Sequence, residues 1–159
     1  MTSFGFRVYG IPAPQGSKIP GVSSKTGKMF VREQSSKTLT PWRQDVKAAA
    51  EVARGLHPGG GTDADPLPTP TIAGPVVLTI DLWVSRPASV KPAKRPYPTV
   101  APDLDKYVRG IGDALKQAGV YADDAQIVAL RATKRYADDD HPAGAWIMIS
   151  EIPPGGMLA

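Results

Sequence analysis

Asp103 and Asp105 stand two residues apart in PDLDKYVRGIGDAL, and a second acidic pair, Asp123-Asp124, follows in YADDAQI. Carboxylates are hard oxygen donors, and Mg²⁺ takes one or two of them while keeping several of its waters. Acids that are close in space repel unless a cation lies between them. For the first pair alone there is a simpler reading: Asp103, directly after Pro102, caps a helix, and Asp105 in its first turn meets the positive end of the helix dipole. The second pair tips the balance toward a cation. It follows the apolar Val120-Tyr121 just past the predicted helix end, and a short connection folds it back toward the first pair.

Other chemistries lack their residues. The chain has no cysteine, which excludes disulfides, thiolate nucleophiles and Cys-ligated zinc. His57 and His141 lie in Gly/Pro-rich or Asp-rich loops without ligand spacing, so each reads as a solvated loop residue and not as a metal ligand or base. An Asp-x-Asp pair also occurs in phosphatases of the haloacid dehalogenase type, but there it follows a hydrophobic strand. TVAPDLD follows a Pro-rich loop.

The acids need elements to hold them. Leu104, Val108, Ile111 and Leu115 recur at helical spacing and Gly119 is a C-terminal stop, which predicts a helix over 103–118. VVLTIDLWV at 76–84 alternates and is rich in β-branched and aromatic residues, the strongest strand signal in the chain. Residues 4–9 read as a first strand followed by the loop IPAPQGSKIPG, and 28–32 as the return strand of a short hairpin. Thr40-Pro41 reads as the start of a helix that ends at Gly55. Residues 127–136 and 145–152 alternate around the acidic turn ADDDHPAG and predict a closing hairpin. The Gly/Pro-dominated stretch 57–75 reads as a long surface loop or insertion, and 85–102 as an extended basic loop. The fold expected is α+β: one domain over 1–152, a mixed sheet of four to five strands with two principal helices packed on it, and a flexible tail over 153–159.

Composition sets the outer limits. A chain of 159 residues suits one domain, and no apolar run reaches the roughly 20 residues that span a bilayer. Met1 is followed by polar TSFGFR and not by a signal sequence, which with the missing cysteines suits the cytoplasm. A net charge of +4 and a pI near 9.4 favour an anionic partner such as nucleic acid, while plain solubility explains that excess equally well.

The run PDLDKYVRGIGDALKQAGVYADDAQIVALRATKRY resembles the RusA family of Holliday-junction resolvases, in which an Asp-Leu-Asp helix start, Asp-Ala-Leu and Asp-Asp-x-Gln recur in this order. The likeness is strongest over 102–136. It extends more loosely to the first strand with its PAPQGSK loop, the Trp42 helix and the strand 76–84. It implies a homodimeric endodeoxyribonuclease that cuts four-way DNA with Mg²⁺, or Mn²⁺ in its place, and needs neither membrane nor small-molecule cofactor. Small relatives are common in phages and prophages, which implies a role in recombination or repair. Carried over by position, the metal-binding acids are Asp103, Asp105 and Asp124, with Asp123 and Gln126 beside the last as supporting groups and Asp113 as part of the fold.

Three positions depart from the family pattern. Lys106 stands where the family has Asn and either screens the acids or contacts phosphate. Arg109 replaces a lysine thought to assist catalysis; arginine stabilises phosphate charge but is effectively never deprotonated, so electrostatic catalysis or an ion pair with Asp105 or Asp113 is what it can offer. Pro102 takes the place of a basic residue. Lys18, Lys91, Lys94, Arg95 and Lys134 are the further candidates for holding the DNA backbone, Lys134 because a lysine is common at this strand position in the family. The rival readings are a branched-DNA-binding protein that does not cut, and a metal-dependent phosphatase acting on a small substrate.

Overall fold

The structure is a computed structural model that describes residues 2–16, 18–33, 36–55 and 69–156, and for 18, 19, 32, 33 and 36 the backbone alone. Most of the stretch 57–75, and the end of the tail, lie outside the described residues.

A four-stranded mixed sheet carries two helices on one face, and a two-stranded ribbon stands apart from it, giving a single α+β domain. The sheet order is β1 (Ser3–Tyr9), β6 (Gly144–Glu151), β4 (Val76–Val84), β5 (Ile127–Tyr136). β1 and β6 pair antiparallel, as do β6 and β4, whereas β4 and β5 run parallel. Alternation sorts β4 as its sequence predicts. Val76, Leu78, Ile80 and Leu82 are fully buried under the helices with Ile147 and Ile149 of β6.

The closing hairpin does not form. β4 lies between β5 and β6, because β4 is apolar enough to be buried as a central strand with a partner on each side. The connection 137–143 therefore crosses the end of β4. Ala137 N–H donates to the Val84 carbonyl at 2.8 Å, and His141 stacks on Trp83 with ring centroids 5.1 Å apart.

α1 (Ser36–Ala53) starts earlier than Thr40-Pro41 implies, placing Pro41 inside the helix. Leu39 is the reason: it is buried against α2, where its Cδ1 would lie 3.1 Å from a Cβ at Gly110. The ribbon joins β2 (Lys18–Val22) to β3 (Met29–Glu33), so the return strand forms and the segment 18–22, read as loop, is its partner. α2 (Leu104–Gln117) buries Tyr107, Ile111, Ala114 and Leu115, and Arg43 of α1 reaches Asp113 of α2 at 3.4 Å. Asp113 thus serves the fold.

Candidate active site

Asp103 occupies the N-cap of α2 with extended backbone angles, yet its side chain makes no capping hydrogen bond. Capping would have used that carboxylate, and here it remains exposed. Asp105, in the first turn, has 64% of its side chain exposed, and its one ionic partner among the described residues is Lys106 at 3.7 Å. The segment leading into Asp103 is fastened from β5. Lys134 Nζ donates to the carbonyl of Val100 at 3.0 Å and to that of Pro102 at 2.7 Å. On the opposite side Gln15 N–H, in the PAPQGSK loop, donates to the Lys106 carbonyl at 3.0 Å. Two segments distant in sequence thus hold the first turn of α2.

An open cleft of about 490 Å³ lies beside Asp103, with walls that include Tyr97, Thr99, Val100, Leu104, Ala132 and Lys134. Arg109 is exposed and makes no ion pair among the described residues, since Asp105 is held by Lys106 and Asp113 by Arg43. Its guanidinium is therefore available to an anion.

The second acidic pair sits elsewhere. Gly119, with φ +68, ends α2, and the chain turns through Val120 and the buried Tyr121, whose hydroxyl donates to the Gly112 carbonyl at 3.0 Å. Burial is the main cause that raises the Tyr121 pKa, and the charges of Asp124 and Asp113 add to it. Asp123 then caps a single 3-10 turn, Asp124–Gln126, in a reciprocal box: its carboxylate accepts from Ala125 N–H, while Gln126 Oε1 accepts from Asp123 N–H. Gln126 Nε2 donates to the carbonyls of Ile72 and Gly74, each at 3.0 Å, which ties this turn to the segment leading into β4.

Lys116 Nζ clamps both acids, Asp123 at 3.0 Å and Asp124 at 3.3 Å. Those hydrogen bonds raise the lysine's pKa, and the Ala125 amide, followed by Lys116, lowers that of Asp123. Lys116 lies 11 residues beyond Asp105 on α2, about 17 Å of helical rise. The turn after the helix therefore does not carry Asp124 back to Asp103 within one chain, and no group of three acids among the described residues could hold one ion. A divalent ion that keeps several waters suits the exposed oxygen donors Asp103 and Asp105; the three-acid set is not assembled in a single chain.

The remaining basic candidates divide. Lys91 and Lys94 are exposed on the loop after β4, whereas Arg95 is drawn inward, its guanidinium 5.9 Å from the Tyr136 ring and its carbonyl accepting from Arg86. The Lys18 side chain lies outside the described residues; its strand starts three residues after Gln15. Lys116 and the buried Arg54 carry roles that no sequence pattern announced. The Asp-Asp-x-Gln spacing pointed to the box, and only the fold reveals its lysine.

The family model described as Endodeoxyribonuclease RusA matches residues 12–149, so this chain belongs to the RusA family of endodeoxyribonucleases. It is also 30% identical over 156 residues to the uncharacterized protein YqaN of Bacillus subtilis (strain 168), an alignment covering 92% of this chain and 95% of YqaN.

Proposed function

We propose that this chain is a metal-dependent, structure-selective endodeoxyribonuclease that resolves four-way DNA junctions by paired phosphodiester hydrolysis, in recombination or repair and in a phage or prophage setting. The observation that carries this reading is the free carboxylate of Asp103. It sits at a helix start without a capping bond, beside an open cleft and a lysine, in a chain of a nuclease family.

Asp103 and Asp105 are the oxygen donors for a divalent ion, Mg²⁺ or Mn²⁺, and such an ion supplies a water activated at neutral pH and Lewis acidity toward the phosphate. Asp124, with Asp123 beside it, is the further acid of the set. Arg109 has no competing carboxylate among the described residues and meets charge developing on the phosphate, as a donor that never gives up its proton. Lys106 shields the neighbouring acid from the DNA backbone. Lys18, Lys91, Lys94, Arg95 and Lys134 hold phosphates or the segments that face them. A homodimer supplies two cuts related by a two-fold axis that matches the junction.

The test is incubation with a synthetic four-way junction, a linear duplex and a nucleotide, each with Mg²⁺ and with EDTA. Mg²⁺-dependent cutting of the junction alone supports the proposal. Junction binding without cutting points to a binding protein, and turnover of the nucleotide to a phosphatase; either would overturn it.

A further inference from the structure

We propose that a pocket at the C-terminal ends of β4 and β5 takes one unpaired base of the DNA, held against His141 and Tyr97, close to the phosphate that is cut. The proposal rests on the DNA-cutting reading above and adds a base-binding subsite to it.

The pocket has a volume of about 480 Å³, and Trp83, Tyr97, Arg135, Tyr136, Asp138 and His141 stand in its wall. That is the size of cavities that hold small molecules. It is too small for a duplex and admits a base. The fold builds it from two sides. Arg86 lies 3.9 Å over the Tyr136 ring and donates to the Arg95 carbonyl at 2.6 Å, which pins the proline-rich loop to the strand end. From the other side His141 stacks on Trp83 with ring planes 3° apart, and its backbone N–H donates to the Asp138 carboxylate at 2.7 Å.

Two aromatic surfaces remain open. Trp83 covers one face of the His141 ring, yet that side chain is 52% exposed, and Tyr97 is 63% exposed. Every base has a π face, so such rings hold bases whatever their sequence. The polar groups select a base over a phosphate. Asp138 is exposed in the wall and repels an anion, whereas the edge of a base offers N–H donors to a carboxylate and acceptors to an arginine. Arg135 supplies the arginine: it is exposed and has no ion pair among the described residues. The buried Tyr136 hydroxyl, in the same wall, also has no hydrogen-bond partner among the described residues.

The position suits the reaction. Tyr97 belongs to the wall of this pocket and to that of the cleft beside Asp103. Lys134, in that cleft, precedes Tyr136 by two residues, about 7 Å along β5. A DNA strand advances about 3.4 Å per nucleotide, so a phosphate at Asp103 puts the pocket within about two nucleotides of the cut. Extracting a base costs least where pairing is already disturbed, as at the branch point of a four-way junction.

The test measures the affinity of the full chain for a synthetic four-way junction in EDTA, where binding is read without cleavage. A set of junctions carries a single abasic nucleotide at each position flanking the branch point, which deletes the base and keeps the phosphate. Wild type is expected to lose about tenfold in affinity at one or two adjacent positions. Tyr97→Ala should lose about tenfold on the intact junction and almost nothing further on the sensitive abasic one, while Tyr97→Phe binds like wild type. Affinity indifferent to every abasic position would overturn the inference. So would a Tyr97→Ala loss of equal size on intact and abasic junctions, the sign of a contact to the backbone. A wild-type chain that does not bind the junction would instead sink the DNA-cutting reading, and the inference with it.

Discussion

The ammonium of Lys134, on β5, lies 2.7 Å from the carbonyl oxygen of Pro102, the residue that precedes Asp103. It also holds the Val100 carbonyl, so one side chain fixes the approach to the first acid from across 32 residues of sequence. Lys134→Met removes both bonds and keeps the stem. We expect the cleavage rate at saturating junction to fall about tenfold, the equivalent of roughly 1.4 kcal/mol in positioning, while junction affinity stays nearly constant. A loss in affinity and salt slope at unchanged rate would mean that Lys134 binds phosphate instead.

Lys116 competes with any cation for Asp123 and Asp124. In Lys116→Met the Asp123 pKa should rise toward its ordinary value, because the lysine is one of the groups that lower it; the Ala125 amide keeps part of the effect. The half-saturating Mn²⁺ concentration should fall by about two- to fivefold as a neighbouring positive charge is lost. Carboxylate titration by NMR and Mn²⁺ calorimetry check the two parts separately.

Arg54, 7% exposed at the end of α1, donates to the carbonyls of Thr69 and Ala118, joining the segment that leads into β4 to the end of α2. Burial lowers its pKa, and Glu51 opposes that shift. Arg54→Ala leaves those carbonyls without a donor and should cost about 2–3 kcal/mol, a fall of about 5–10 °C in Tm.

Tyr121 gives the alkaline limit. Its folded pKa lies above the value of 10.0 for an ordinary tyrosine. A raised folded value means a contribution to stability that is complete below the unfolded pKa and is lost as pH rises from there through the folded one. Denaturant midpoints should therefore decline above pH 10, and Tyr121→Phe should show a smaller decline.

The DNA surface is read by salt. Lys91 and Lys94 are exposed, whereas Arg95 is packed against Tyr136. Lys91→Ala and Lys94→Ala should each lower the slope of log K against log salt by about one. Equal slopes in wild type and both variants would remove that loop from the interface.

The parts of the fold that could be read in advance are those in which one periodicity decides the burial. α2 shows its apolar face in Leu104, Val108, Ile111 and Leu115, and β4 shows an alternation that the buried Val76, Leu78, Ile80 and Leu82 confirm. Pairing depends instead on competition among strands. Residues 127–136 and 145–152 each read as strands, the second lying one residue earlier in the fold at Gly144–Glu151, but local pattern does not reveal that β4 comes between them. The start of α1 depended on burying Leu39, a contact with an element more than 60 residues away. At the site, residue types marked both acidic pairs, while their separation followed from the length of α2 and the clamp of Lys116.

The most direct measurement is the single-turnover cleavage of a saturating four-way junction in Mg²⁺ by wild type and by Asp103→Asn. Two symmetric cuts by the wild type, none in EDTA, and a loss of at least about 10³-fold in rate for the variant with junction binding preserved are expected. Cleavage by Asp103→Asn at the wild-type rate would contradict the metal-binding role of Asp103.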